Sequence, residues 1–251
     1  MFRVRLLSLT LAALTLGATI PSSAPARNRA GKEFSFSGKG CVETEAFFLV
    51  DPAVLDPYVP DKYKIAVVFA GKGELMVTIT DCDEISVNGK RGRPGIIGKA
   101  GIYIEPPIPS RLDFDYYGLW QVGNVAALRK GFGKLGLESP FVKNPSFSST
   151  TGDYDADASM PQPVGPYRIR MANPAGVDVL VGYDSTFWYE TRAGTVTVAQ
   201  TAEPTYRTGL ALFETSPDSA VGAMIGGATR PADSGTLAHI PVLEAMVRRV
   251  P

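Results

Sequence analysis

The sequence predicts an α+β protein: a mainly antiparallel, closed or nearly closed β-barrel with two or three short flanking helices. Three observations predict it. The 251 residues carry 26 Gly and 20 Pro beside plentiful Val, Thr and Tyr, a composition of many short strands and turns rather than long helices. Alternating apolar runs end repeatedly at turn signals such as Asn88-Gly89. Twice, at 114–137 and 207–226, a strand pattern ends in a capping residue and a short helix pattern follows at once. A strand-rich body with a few helices against it suits a barrel or a sandwich.

The chain opens MFRVRLLSLTLAALTLGATIPSSAPARN. Arg3 and Arg5 precede an apolar run from Leu6 to Ile20, and Ala24-Pro25-Ala26 fits a small-x-small cleavage site. This is the layout of a secretory signal peptide over 1–26, and the run is shorter than the roughly 20 apolar residues of a membrane span. The expectation is an exported protein, secreted or periplasmic, with a single domain over 27–251 and no stable membrane anchor after signal removal. Without Arg3 and Arg5 the 25 basic residues fall to 23 against 25 acidic ones. A nucleic-acid partner would favour a basic excess, and none exists. Outside the cytoplasm the two cysteines, Cys41 and Cys82, read most simply as a disulfide. Asp81, Asp83 and Glu84 around Cys82 disfavour a reactive thiolate.

Along the chain, EFSFSG and CVETEAFFLV read as strands, and Asp51 caps a short helix that opens at Pro52. YKIAVVFAG reads as a buried strand, followed by the strands ELMVTITDCDEISVN and IIGKAGIYIE. DFDYYGLWQV is a strand, and Asn124 caps a helix through GNVAALRKGFGKLGL. Residues 143–166 are polar and rich in Gly, Ser and Pro, a long surface loop with a short strand at 147–150. YRIRMA, VDVLVGYD, TFWYETRAGTVTVAQ and RTGLALFE resume strands. Ser216-Pro217 opens a short helix, and Pro241 opens a last one, VLEAMVRR.

Several chemistries are excluded. His239 is the only histidine, and neither Gly-x-Ser-x-Gly nor His-Glu-x-x-His occurs. No motif calls for a cofactor or a metal: DYDADAS begins like a calcium loop, but Ala158 and Val164 stand where Gly and Glu belong. GKRGRPGIIGK gathers Lys90, Arg91, Arg93 and Lys99 without the helix-opening Gly-Lys-Ser/Thr of a P-loop. Lys99 stands inside an apolar strand. It either faces water, or is buried, where a lysine loses its charge readily and suits Schiff-base chemistry. In DFDYYGLWQV, alternation puts Phe114, Tyr116, Gly118 and Trp120 on one face. A glycine between two large rings can leave a pocket, with Trp188 of FWY nearby, or the rings can simply fill a core.

The order of FFLVDPAVLDPYVPDKYKIA, FDYYGLWQVGNVAALRKGFGKLGL, FWYETRAGTVTVAQ and LALFETSPDSAVGAMIGG resembles the acetoacetate-decarboxylase-like superfamily. The resemblance implies a helix-flanked β-barrel with a small, hydrophobic-lined pocket. Its decarboxylases carry adjacent lysines, one of which forms a Schiff base. Here the nearest place reads GIIGKAG, and Lys99 has no lysine beside it. Three functional expectations stand. One is an exported barrel that binds a small lipophilic or aromatic molecule through Tyr116, Gly118, Trp120 and Trp188. Another is a lyase of that class, with Lys99 as the amine and Glu105 or Glu190 as proton carrier. A third, an interaction protein without a pocket, would make the aromatics core alone.

Overall fold

A computed structural model of the chain describes residues 33–108, 114–150, 155–161, 165–171, 179–180 and 182–250. The signal peptide expected over 1–26 lies outside the described residues. The first strand, β1 (Glu33–Val50), leads through a helical turn, α1 (Pro52–Leu55), to a short β2 (Lys64–Ile65). A hairpin follows, β3 (Gly73–Val87) and β4 (Lys90–Glu105), then β5 (Phe114–Gly123) and α2 (Ala126–Lys134). Next come β6 (Ser146–Thr150), β7 (Asp155–Met160), β8 (Tyr167–Met171) and β9 (Val179–Leu180). The remainder is β10 (Tyr183–Thr191), β11 (Gly194–Ala202), β12 (Thr205–Gly209), β13 (Ala211–Thr215), α3 (Ala220–Ile225), β14 (Thr229–Pro231) and β15 (Ser234–Arg249).

Seven strands close on themselves in the order β1-β3-β4-β5-β10-β11-β15, with β15 returning to β1. The barrel is mixed, which corrects the antiparallel expectation at one seam: β5 and β10 run parallel, Phe187 beside Tyr116. Parallel neighbours need a long crossover, and the chain between them supplies one that contains α2 and three strands, β6 to β8, of a second five-stranded sheet. That sheet, β14-β13-β8-β7-β6, lies against the barrel's outer face. Phe213 meets Phe48 edge-on at 5.4 Å, and Tyr167 meets Trp120 at 4.9 Å. Two cores result. One sits between the sheets and contains Phe48, Ile79, Ile102 and Ile169. The other fills the lower lumen with Phe34, Phe36, Val198 and Val247, and Phe132 of α2 closes that end.

Local chemistry explains most elements. Asp51 accepts from the Ala53 N–H and caps α1 as expected. Asn88 and Gly89 both take positive φ, 52° and 67°, and turn the β3–β4 hairpin. Asn124 does not cap α2: its side chain accepts from the Ile96 N–H at 2.8 Å, and Val125 stands at the N-cap without a side-chain bond. Ser219, not Ser216, caps α3, accepting from the Gly222 N–H at 3.0 Å.

Three expectations are corrected. VLEAMVRR is the end of strand β15, because Leu243, Ala245 and Val247 point into the lumen at a spacing of two. Its Pro241 is tolerated because the β1–β15 register skips it and Gly40, which has φ 56°. YKIAVVFAG forms only the two-residue β2, and Phe69 is 73% exposed. Within the expected 143–166 loop the short strand at 147–150 is present as β6, but it pairs with a second strand, β7, where Ala158 and Met160 are buried and Asp157 pairs with Arg168. Of the calcium-like ligands, Asp153 and the side chain of Asp155 lie outside the described residues. Among the described residues no helix is long and apolar enough to cross a membrane.

Cys41 and Cys82 stand opposite in the β1–β3 register and form a disulfide. At a sequence separation of 41, the link removes about 4 kcal/mol of unfolded-chain entropy in the loop-closure model. The double variant Cys41→Ala/Cys82→Ala is therefore expected to lower the urea midpoint by an equivalent amount. Addition of a thiol reductant should shift the wild type and leave the variant unchanged. Between the sheets, a Cβ on Gly98 would lie 1.9 Å from the Tyr167 hydroxyl. Gly98→Ala should cost about 1–3 kcal/mol by overpacking, and Tyr167→Phe in the same chain should recover part of it, as read by denaturant unfolding.

Candidate functional site: a lysine in the barrel lumen

Strand alternation sends Glu43, Glu45 and Phe47 of β1, Glu74 and Met76 of β3, Lys99 of β4, Tyr116 of β5 and Phe187 of β10 to one lumen pocket of about 290 Å³. The exposed Phe114 and Thr208 stand at its mouth. Lys99 is only 5% exposed. Its Nζ donates to Gln200 Oε1 at 2.8 Å, lies 3.6 Å from Glu43 Oε2, and sits 4.9 Å above the Phe187 ring. Each contact suits a buried ammonium. Glu43, 2% exposed, also accepts from the Thr80 hydroxyl, its register neighbour on β3.

Glu45 is the second carboxyl of this cluster and accepts from Thr236 on β15. Burial first, then the adjacent Glu43 carboxylate, pushes Glu45 up to about 8, and a hydrogen bond links the two carboxyls. On the opposite wall Tyr116 donates to Glu74 Oε1 at 3.1 Å. Burial raises Glu74 too, against the lowering effect of that bond. Burial, then Glu74, keeps the Tyr116 phenol protonated, and burial, then Glu43, does the same for Tyr183. Beside Lys99 in the register are Thr78 and Gln121. The Thr78 hydroxyl and the amide nitrogens of Gln121 and Gln200 are buried without a protein hydrogen-bond partner. No three His, Cys, Asp or Glu among the described residues are placed to share a metal ion.

The structure brings only part of the sequence-derived set to this pocket. Lys99 and Tyr116 line it. Gly118 faces the same lumen, but its missing side chain makes room for Tyr189, whose ring would lie 2.2 Å from a Cβ there. The notch at Gly118 is thus filled by the protein itself. Trp120 does not share the Tyr116 face. The β4–β5 register steps from Ala100↔Trp120 to Gly101↔Gly118, so Leu119 is an extra residue and the bulge turns Trp120 outward onto Tyr167. Trp188 also packs in the outer core, donating from Nε1 to Asp115 at 2.7 Å. Glu105 is exposed at the end of β4 and pairs with Lys64 at 2.6 Å. Glu190 lies outside the pocket lining, 2.8 Å from Lys62, and accepts from Tyr63 at 2.6 Å. Burial pulls Glu190 up, but the bonds from Lys62, Tyr63 and Thr195 outweigh it and hold it below the usual range. The disulfide of Cys41 and Cys82 packs in the lumen core.

The carboxyls near Lys99 are therefore Glu43, Glu45 and Glu74, which sequence reasoning passed over. A signal for two of them existed. In CVETEAFF, Cys41, Glu43, Glu45 and Phe47 share the face that carries a buried cysteine, so acids there sit where a barrel needs filling. A buried primary amine with carboxyls beside it is a group that can add to a carbonyl and pass protons.

Known proteins agree with this description at the level of fold. No protein-family model and no curated protein matches the chain. An acetoacetate decarboxylase structure matches at TM-score 0.54 and 9% identity over 85% of this chain and 87% of that one. Acetoacetate decarboxylase from Legionella pneumophila matches at 0.53 and 11%, over 96% and 98%. The enduracididine biosynthesis enzyme MppR complexed with pyruvate matches at 0.52 and 12%, over 90% and 91%. The chain has the fold of the acetoacetate-decarboxylase-like barrel superfamily. At such identity the likeness carries architecture and no residue's role.

Glu45 makes stability depend on pH. Its folded-state proton affinity exceeds that of an ordinary carboxyl near 4.5, so its contribution is fully present below about 4.5 and drains away as pH rises towards about 8. Glu74 acts in the same direction. Urea midpoints measured between pH 5 and 9 should fall with rising pH, and Glu45→Gln should flatten that fall.

Proposed function

We propose that the chain is a lyase of the acetoacetate-decarboxylase-like kind, which activates a small carbonyl compound as a Schiff base on Lys99. The observation that carries this reading is a buried amine, paired with one carboxylate, facing a pocket of about 290 Å³. At about 30 Å³ per water-sized group, that is room for about ten non-hydrogen atoms. The structural neighbours support it, since one of them is named for a decarboxylase and another is described in complex with pyruvate, a carbonyl compound.

The pocket's own groups complete the step. Lys99 passes a proton to Glu43 and adds through Nζ to the carbonyl carbon. A second nitrogen proton moves to the carbonyl oxygen, giving a carbinolamine. Glu45 protonates its hydroxyl, which leaves as water, and the iminium remains. The proton on Glu43 then returns to Glu45 along their hydrogen bond. Glu43 and Glu45 take the role that the sequence reading gave to Glu105 and Glu190. The pair Lys99–Glu43 takes the place of adjacent lysines. Bond cleavage beside the iminium follows, because that cation accepts the electron pair released.

Export remains part of the proposal. The disulfide supports it, because such a bond persists in oxidising compartments. Binding of a lipophilic molecule without chemistry is a second reading, favoured by the ring wall of Phe114, Tyr116 and Phe187.

Borohydride trapping tests the reading. Incubation with a panel of small ketones, aldehydes and oxo acids, then reduction and peptide mass spectrometry, should place an adduct on Lys99. Lys99→Arg keeps the charge but not the nucleophile, and should give none. Absence of an adduct with every member of the panel refutes the lyase reading and leaves the binding one.

A further inference from the structure

Resting on the Schiff-base reading, we propose that the carbonyl substrate of Lys99 is uncharged, a neutral ketone, aldehyde or ester rather than an oxo-acid anion. The argument is one of charge balance. Among the described residues that line the pocket, Lys99 is the single base, against Glu43, Glu45 and Glu74. Its charge is already committed to Glu43 at 3.6 Å, inside a ring of buried groups. Glu45 and Glu74 are both raised, mainly by burial. Even with both carboxyls protonated the lining would only be neutral, and any ionisation of either makes it negative, so there is no surplus positive charge.

Formation of the iminium does not change this. The iminium carries the same single positive charge as the ammonium it replaces, and Glu43 remains its counter-ion. A substrate carboxylate would therefore be an uncompensated charge in a low-dielectric cavity at every stage, which is costly. Tyr116 is not free to solvate it, since it donates to Glu74, and the pocket's other hydroxyls carry no charge to balance it. The spare amides of Gln121 and Gln200 are uncharged and lie outside the pocket lining. A neutral molecule meets none of these costs. The rings of Phe114, Tyr116 and Phe187 cover an apolar body, and the uncharged hydroxyls of Ser185 and Tyr206 can reach an oxygen. The bond broken next to the iminium is then a carbon–carbon bond of a neutral substrate, whose electron pair the iminium accepts, and the product is not carbon dioxide.

The test compares matched pairs that differ only in charge: methyl pyruvate with pyruvate, and methyl acetoacetate with acetoacetate. Each is trapped on the full chain with cyanoborohydride at pH 7.5, and each rate is divided by that of Nα-acetyl-lysine to remove intrinsic reactivity. The esters are expected to modify Lys99 at least tenfold faster than the acids. Equal rates, or faster trapping of the acids, overturn the inference while leaving the Schiff base standing. No adduct from any of the four overturns both. Thr208→Arg places a cation at the exposed mouth without disturbing the lumen. It should bring the ester-to-acid ratio towards one, and an unchanged ratio means that charge does not set the preference.

Discussion

Closure of the barrel is the constraint from which the site follows. When β15 pairs with β1, each strand has neighbours on both sides and every second residue is committed to the lumen. Glu43 and Lys99 are far apart in the chain, yet the β1–β3 and β3–β4 registers put Glu45, Thr78 and Lys99 on one row, with Glu43 and Thr80 on the next row of the same face. Neither charge is affordable alone in such a place. A buried carboxylate or ammonium needs a partner and hydrogen bonds, and Thr80 and Gln200 provide the bonds. The lower lumen is apolar and plugged by Phe132, so the polar level sits near the open end, where a small molecule can enter.

Much of this was legible from residue pattern. The barrel class, the helix after Asp51, the Asn88-Gly89 hairpin and the disulfide all depend on local chemistry or on pairing of two cysteines. The parallel seam was not, because antiparallel and parallel strands carry the same period-two signal. The Trp120 face was lost to a single extra residue at Leu119. Counting alternate positions across a bulge inverts every side chain beyond it.

The amine was legible, and its partners were not. Lys99 stood out as a charge in an apolar strand, and the structure buries it. Its carboxyls come from β1 and β3, separated in sequence by whole strands, and only register connects them. Glu105 and Glu190 were attractive because they lie near Lys99 or near the aromatics along the chain. The former ends at the surface with Lys64, and the latter is held by Lys62 and Tyr63.

The closing seam joins a strand that begins at residue 33 to one that ends at residue 249. During synthesis the lumen cannot form until the last strand has left the ribosome, and contacts of such long sequence separation make folding slow. Pairing of β1, β3 and β4 can bring Glu43 near Lys99 before that, but the polar interior is sealed from water only when β15 arrives.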